Sequence, residues 1–149
     1  MGNVIKAPNP VPLGVQTVFL AGSIEMGKAQ NWQKIAEKNL DEGFTILNPR
    51  RDDWDSSWEQ TIKNEHFAEQ VRWELDAMDF ATHILMYFDP ATKSPITLME
   101  LGLHATSGKL VVCCPQGFWR RGNVEVVSQW WNIPLFTTLA AGIDHINAA

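Results

Sequence analysis

The chain has 149 residues and a formal net charge of −5, with 45% hydrophobic and 19% charged residues. This length fits one domain with a substantial core, and the composition is typical of a soluble globular protein. No block of Lys and Arg is long enough to follow a phosphate backbone, so we expect no binding to a nucleic acid duplex. No apolar segment approaches the ~20 residues that span a bilayer, so we expect no membrane partner.

The two cysteines, Cys113 and Cys114, are adjacent in an apolar run. Neighbouring side chains of a strand point to opposite faces, so a disulfide between them would be strained. Their spacing does not suit a metal, and the 4 histidines are scattered without metal-ligand spacing. The N-terminus lacks the charged-then-apolar pattern of a signal peptide. We therefore expect a cytoplasmic protein with no metal and no cofactor.

The predicted elements alternate between strand and helix along the chain. Residues 1–16, which hold Pro8, Pro10 and Pro12, predict an extended lead-in, and 17–149 predict a single domain. Short apolar runs that end at turn residues predict strands, which comprise 17–21, 44–47, 82–88, 110–114 and 134–137. Helical periodicity and stop signals predict helices, which comprise 29–41, 60–78, 94–107, 124–131 and the C-terminal remainder.

Continuous apolar strands that alternate with helices imply a parallel sheet covered on both faces. With right-handed crossovers, we expect a five-stranded, doubly wound α/β domain, flavodoxin- or Rossmann-like, with strand order 2-1-3-4-5. Such sheets bind ligands beyond the carboxyl ends of the strands, near the switch point between strands 1 and 3. Three segments end there, Gly22-Ser23, Asp89 to Ser94, and 115–123. We therefore predict that Gly22, Ser23, Asp89 and Ser94 contact a ligand.

Glu100 lies early in the predicted third helix, among large apolar residues. One hypothesis is a capping box, in which Thr97 caps the helix and the Glu100 carboxylate returns to its amide. If Ser94 is the cap and Pro95 the first helical residue, that pairing fails and Glu100 lies in the second turn. A poorly solvated carboxylate near a helix N-terminus would suit a nucleophile for the anomeric carbon of a sugar.

Four other features each have two interpretations. Trp54 and Trp58 lie in a charged loop, where they either cover a flat ligand or pack on the surface. Glu74 opposes the dipole of its helix at a small cost, which indicates either a functional position or a solvated helix face. The segment 118–121 either closes over a substrate or forms a subunit contact. Asn123 is a candidate N-cap for the fourth helix.

Several segments together resemble the nucleoside 2-deoxyribosyltransferase family. They are Phe19 to Ile24, Met99-Glu100-Leu101-Gly102 with Gly108-Lys109 behind it, and Asn123. The resemblance extends from about Thr17 to the fourth helix. It implies cleavage of the N-glycosidic bond of a 2′-deoxynucleoside and transfer of the sugar to another base. The implied partners are a nucleoside or nucleotide and a free nucleobase.

The resemblance also implies roles for individual residues. Glu100 would be the nucleophile, which forms a covalent deoxyribosyl intermediate, and Glu74 would contact the base. Asn123 would contact the sugar across a subunit interface, so we expect a homo-oligomer, a dimer or higher. Phe19 stands where the family often has Tyr. Ser94 stands where the transferases usually have Asp, and it resembles the serine that contacts phosphate in the related 2′-deoxynucleoside 5′-phosphate N-hydrolases.

Glu25 differs from the hydrolases, and the loop 50–54 differs from both groups. Glu25 replaces a basic residue in the glycine loop of the hydrolases and would repel phosphate. The loop 50–54 resembles a separate branch of the transferase-like family. Asp53 or Glu74, if protonated, is a candidate proton donor to the leaving base, and Trp54 or Phe19 is a candidate for stacking on it. Hydrolysis of a nucleoside or its 5′-monophosphate and a nucleotide-sensing module without turnover are the alternative functions.

Overall fold

The computed structural model describes residues 2–23, 31–51 and 54–149. Its strands are β1 (Val4–Lys6), β2 (Thr17–Gly22), β3 (Thr45–Asn48), β4 (His83–Tyr87), β5 (Leu110–Cys113) and β6 (Leu135–Phe136). Its helices are α1 (Trp32–Asn39), α2 (Glu65–Phe80), α3 (Pro95–His104), α4 (Arg121–Trp130) and α5 (Leu139–Asn147). The strands form one 6-stranded sheet of order β1-β3-β2-β4-β5-β6, and every pair is parallel.

The prediction of a parallel, flavodoxin-like α/β sheet is confirmed, and so is the order of its five predicted strands. The prediction that the sheet has only five strands is wrong, because β1 of the lead-in adds a sixth beside β3, with Val4 opposite Ile46. Beyond this strand, Ala7 is buried, and Trp73 Nε1 on α2 donates to the Asn9 carbonyl oxygen at 2.7 Å. The lead-in therefore packs onto the sheet and α2.

Successive residues of the central strands face two different cores, as the period of two in a strand requires. Phe19 of β2 and Met86 of β4 pack in the core shared with α2, α3 and α4. Val18 and Leu85 pack in the core shared with α1 and α5. Helices α2 and α3 thus lie on the same face of the sheet, so side chains between them can meet.

Helix α3 begins at Pro95 with Ser94 as the preceding cap residue. The capping-box hypothesis for Thr97 is therefore wrong, and Glu100 lies in the second turn. Helix α4 begins at Arg121, so the prediction that Asn123 caps it is also wrong. Asn123 lies inside the first turn because the helix starts earlier than the apolar periodicity indicated.

The described residues contain no helix that is long and apolar enough to cross a membrane. Cys113 and Cys114 are both buried and both free, as expected for neighbours on one strand.

Gly22 ends β2 where the chain is most crowded. A Cβ at this position would lie 2.5 Å from the Tyr87 carbonyl oxygen and 2.6 Å from the ring of Trp32. The Trp32 indole also donates to the Ser23 carbonyl oxygen at 3.0 Å, which fixes the ring against this glycine. The space that the missing side chain of Gly22 leaves is therefore occupied by the backbone of β4 and by the Trp32 ring of α1.

We predict that Gly22→Ala lowers the free energy of unfolding by about 2 kcal/mol or more, because neither the β4 backbone nor the pinned indole can yield cheaply. Gly102→Ala is the matched control, since Gly102 is exposed on α3 and nothing lies within 4 Å of its Cβ position. That change should raise the free energy by up to about 1 kcal/mol through helix propensity. Urea unfolding followed by circular dichroism measures both, and similar effects of the two variants would contradict the packing assignment.

Candidate active site

The segments predicted to meet at the switch point do meet, at the carboxyl ends of β2 and β4. The Asp89 amide donates to Ser23 Oγ at 3.1 Å. Thr92 Oγ1 lies 2.9 Å from Ser23 Oγ and 2.8 Å from Ser94 Oγ, and the two serine hydroxyls also bond each other. All four residues are buried. This hydroxyl cluster ties the turn after β4 to the end of β2.

Ser94 has φ 50° and ψ 52°, a left-handed conformation that is uncommon outside glycine and costs roughly 1–2 kcal/mol. The bonds of its hydroxyl with Ser23 and Thr92 hold it there. Asp89 shapes the same turn, because its Oδ1 accepts from the Ala91 amide at 2.8 Å. The hydroxyl cluster therefore fixes where the chain enters α3.

Glu100 lies in the second turn of α3 and is only 5% exposed. Over the described ranges, no residue donates a hydrogen bond to its carboxylate. Burial raises the pKa of Glu100 to about 8, and the neighbouring charge of Glu74 adds to the increase. The capping-box hypothesis for Glu100 is thus excluded twice, because its carboxylate accepts no hydrogen bond from the described residues and because α3 begins at Pro95.

Glu74 is half-buried on α2, and its negative charge acts on the carboxyl of Glu100. Burial raises the pKa of Glu74 to about 7, while a hydrogen bond from the side chain of Gln70 lowers it. No cation in the described part of the chain acts on either carboxyl group. Two predicted site residues are therefore brought together as a pair of acids.

The remaining predicted site residues lie in varied surroundings. Phe19 is fully buried, with its ring 6.3 Å from that of Trp73. Trp54 is 39% exposed. Asn123 is exposed on α4, and Asp53 lies outside the described residues, as does Glu25.

A model of the family described as nucleoside 2-deoxyribosyltransferase like matches residues 15–118. The chain belongs to this family. The match includes the hydroxyl cluster and both acids, and it ends before Asn123. The resemblance inferred from the short motifs is therefore confirmed.

A solved structure with the same fold is that of a conserved protein from Enterococcus faecalis V583. It aligns with a TM-score of 0.61 at 12% identity and covers 90% of this chain and 98% of that one. No curated protein matches the sequence.

In the loop between β3 and α2, one tryptophan packs on α2 and the other packs on the first. Trp58 stacks on His66 with ring centroids 4.5 Å apart, and Trp54 meets Trp58 edge-on at 4.9 Å. Arg51 also pairs with Glu69 of α2 at 2.7 Å. Trp58 therefore fits the surface-packing interpretation, whereas the exposed part of Trp54 leaves the ligand interpretation open.

The segment 118–121 closes onto the turn that carries the hydroxyl cluster. Trp119 Nε1 donates to the Lys93 carbonyl oxygen at 2.8 Å, and the Lys93 and Arg120 cations lie over the indole, 4.3 Å and 4.4 Å from its ring centroid. Phe118 packs on Phe88 at 4.8 Å. These contacts within the chain fasten the loop after β5 to the loop after β4.

Two residues that the sequence analysis did not assign have clear roles. Lys109 Nζ donates to the carbonyl oxygens of Met78 and Asp79 at 3.0 Å and 2.6 Å. A cation suits the negative end of a helix, so Lys109 stabilises the C-terminus of α2. Gln70 Nε2 donates to the Pro49 carbonyl oxygen at 2.7 Å, so Gln70 fastens the loop after β3 to α2.

The described residues hold no group of three or more His, Cys, Asp or Glu side chains that could bind a metal. A groove of about 530 Å³ lies along α4 and β6, and the residues that line it are Gly122, Glu125, Val126, Ser128, Gln129, Ile133 and Leu135. None of the predicted site residues lines this groove, so it is separate from the two acids.

The raised pKa of Glu100 predicts a specific pH dependence of stability. The folded protein keeps this proton up to about pH 8, whereas the unfolded chain loses it near pH 4.5. The contribution of this proton to the free energy of unfolding is therefore fully present below pH 4.5. It is lost as the pH rises to about 8, by at most ~1.4 kcal/mol per pH unit. We predict that Glu100→Gln becomes progressively more stable than the parent protein between pH 5 and pH 8, by roughly 3 kcal/mol in total.

Urea unfolding at a series of pH values measures this difference. Glu125→Gln is the control, because Glu125 is exposed and paired with Arg121 at 2.9 Å. Its stability difference should not grow over the same range. A constant difference for Glu100→Gln would refute the burial of a protonated carboxyl.

Proposed function

We propose that this protein cleaves the N-glycosidic bond of a 2′-deoxynucleoside through Glu100 and transfers the deoxyribosyl group to a second base. The observation that carries the proposal is the buried Glu100 carboxyl, which receives no hydrogen bond from a described residue and faces a second acid, Glu74. A carboxylate with unused lone pairs is available to a ligand. Membership of the nucleoside 2-deoxyribosyltransferase-like family supplies the substrate class.

The reaction is a double displacement. A Glu100 oxygen attacks C1′, the C1′–N bond breaks, and Glu74 gives its proton to the departing base nitrogen. A second base then attacks C1′ while Glu74 takes the proton from its ring nitrogen, and the C1′–O bond to Glu100 breaks. The sugar keeps its configuration because it is inverted twice.

The two acids suit these roles because they repel each other. The charge of Glu74 opposes ionisation of Glu100, and the higher pKa of Glu100 favours the proton on Glu100 in the free protein. Positive charge that develops at C1′ would stabilise the ionised form of Glu100 and shift the proton to Glu74. A 2′-deoxy sugar suits such a site, since it lacks the electron-withdrawing hydroxyl that would make charge at C1′ more costly.

Three of the other predicted residues are candidates for roles with the ligand. The exposed part of Trp54 would stack on the base. Asp53 is the alternative proton donor, and Asp53→Asn with unchanged turnover would assign that role to Glu74. The Ser94 hydroxyl is engaged with two neighbouring hydroxyls, so it would reach a sugar or phosphate oxygen only by exchanging one of these bonds.

We predict that a 2′-deoxynucleoside incubated with the protein and a second nucleobase yields the exchanged nucleoside. Glu100→Ala should lower the rate at least about 1,000-fold, because it removes the nucleophile. Glu74→Gln should lower the rate about 100-fold with an ordinary base. It should have little effect with a 7-methylpurine, whose positive charge lets it depart without a proton. Chromatography of both bases and both nucleosides measures these rates.

The same assay separates the alternatives. Base release without a second base, for the nucleoside or its 5′-monophosphate, would identify a hydrolase, since water then resolves the intermediate. A ligand-dependent increase in melting temperature without any release, across purine and pyrimidine substrates, would identify a binding module. Mass spectrometry of the rapidly quenched protein should detect the sugar on Glu100 if the intermediate forms.

We also propose that the protein is a homo-oligomer in which Asn123 reaches the sugar of a neighbouring subunit. Ile96, Met99 and Leu103 support this proposal, because they are 58%, 53% and 55% exposed on α3, the helix that carries Glu100. Exposed apolar residues that lie together on one helix are typical of a protein contact.

Met99→Glu should therefore shift the sedimentation coefficient toward the monomer and weaken base release, since a desolvated charge would oppose the contact. Ile62→Glu is the control, because Ile62 is 76% exposed on the loop before α2. The control should sediment like the parent protein. A parent protein that sediments as a monomer at assay concentrations would reject the oligomer.

A further inference from the structure

The loop after β5 contacts the turn that enters α3 through the side chain of Trp119. The indole Nε1 donates to the Lys93 carbonyl oxygen at 2.8 Å, and Lys93 precedes Ser94, the left-handed residue before the first turn of α3. That carbonyl belongs to the planar peptide group between Lys93 and Ser94. The orientation of this peptide group relative to the Cα of Ser94 is the angle φ of Ser94. The bond from Trp119 therefore acts on one of the two angles that define the left-handed conformation.

Two cations hold the indole ring in place. The Lys93 ammonium lies 4.3 Å from the ring centroid and the Arg120 guanidinium lies 4.4 Å from it, distances at which a cation attracts the face of an aromatic ring. Trp119 is 47% exposed, so it contributes little to the apolar core. The N–H bond and the two cation contacts account for the position of the ring.

The rest of this loop is anchored next to the end of β4. Phe118 is 3% exposed and packs on Phe88 with ring centroids 4.8 Å apart. The Arg121 side chain donates from Nε to the Cys114 carbonyl oxygen at 3.0 Å, and the Arg121 amide donates to the Phe118 carbonyl oxygen at 3.0 Å. Trp119 is therefore presented to Lys93 from a fixed support.

The left-handed turn is thus held from two sides. The hydroxyls of Ser23 and Thr92 bond the Ser94 side chain, whereas Trp119 bonds the carbonyl group that precedes Ser94. A residue with a Cβ disfavours this conformation. Without the indole N–H, the peptide group between Lys93 and Ser94 would be free to rotate, and α3 would start in a different direction.

We propose that Trp119 is a positioning residue, which fixes the start of α3 and thereby the direction in which Glu100 points. Glu100 lies in the second turn of α3, so a rotation at Ser94 would displace its carboxyl. The catalytic consequence rests on the function proposed above, in which Glu100 attacks C1′. A misplacement of a reacting group by about 1 Å can lower a rate by about 100-fold.

The first test is hydrogen exchange in the parent protein, measured by NMR on the indole N–H groups. The Trp119 N–H should exchange at least about tenfold more slowly than that of Trp130, because Trp119 donates a hydrogen bond and Trp130 is 75% exposed on α4. Equal rates for the two indoles would overturn the proposal without any variant.

The second test is Trp119→Phe, which keeps an aromatic ring for the two cations and removes the N–H donor. The Leu98 amide donates to the Ser94 carbonyl oxygen at 3.0 Å, at the start of α3. Its exchange should become about fivefold faster in the variant, because the turn loses one hydrogen bond. The Ala68 amide at the start of α2 should keep its rate. An unchanged Leu98 rate in the folded variant would contradict the proposal.

Trp130→Phe is the matched control, since it makes the same change on an exposed helix position. The Leu98 amide should keep its parent rate in this variant. If Trp119→Phe does not fold, as judged by circular dichroism, Arg120→Gln removes one of the two cations from the ring instead. Both the Trp119 indole and the Leu98 amide should then exchange faster than in the parent protein, and unchanged rates would count against the proposal.

The kinetic test separates positioning from a merely structural effect. If the parent protein releases base, Trp119→Phe should lower kcat about tenfold with little change in KM, since Glu100 would be turned while binding is kept. Trp130→Phe should change neither constant. A variant that loosens the Leu98 amide but keeps its kcat would refute the positioning role.

The outcome is separable from that of the proposed function, because the exchange measurements need no substrate. A parent protein that releases no base would reject the proposed function. The hold of Trp119 on the start of α3 would then be decided by the exchange rates alone.

Discussion

The repulsion between the carboxyl groups of Glu74, which is half-buried, and Glu100, which is buried, is the interaction on which the site depends. Burying an ionised carboxylate without a partner costs several kcal/mol, and no cation of the described chain offsets that cost. The pair therefore keeps a proton where isolated glutamates would be fully ionised. The apolar core beneath α2 and α3 must offset the cost of burying these acids. A Leu at position 100 would give a more stable fold.

The two acids meet because of how the chain enters α3. An α-helix rotates by about 100° per residue, so a start one residue earlier or later would turn Glu100 away from α2. Ser94 sets this start in a left-handed conformation, and the hydroxyls of Ser23 and Thr92 hold it there. The buried hydroxyls at the switch point of the sheet thus fix the position of Glu100, even though these hydroxyls bond mainly to one another.

The alternation of apolar strands and amphipathic helices was sufficient to predict the parallel sheet and the order of five strands. It could not predict β1, which has three half-exposed residues in a proline-rich segment and is stabilised by pairing with β3. The start of α3 was ambiguous because Thr97 with Glu100 and Ser94 with Pro95 are both good helix-start patterns. The deciding bond joins Ser94 to Ser23 across 71 positions of sequence, and no local pattern contains it.

Glu74 and Glu100 could each be identified as candidate site residues from the sequence. Their pairing could not, because it depends on how α2 packs against α3 and the loop after β3. Glu100 is positioned by a backbone turn that buried hydroxyls hold rigid, whereas the loop that carries Trp54 is attached by side-chain contacts from Gln70, Glu69 and His66. Under the proposed function, substitutions on the exposed face of α2 and in the loop would alter recognition of the base while the geometry at the sugar is kept.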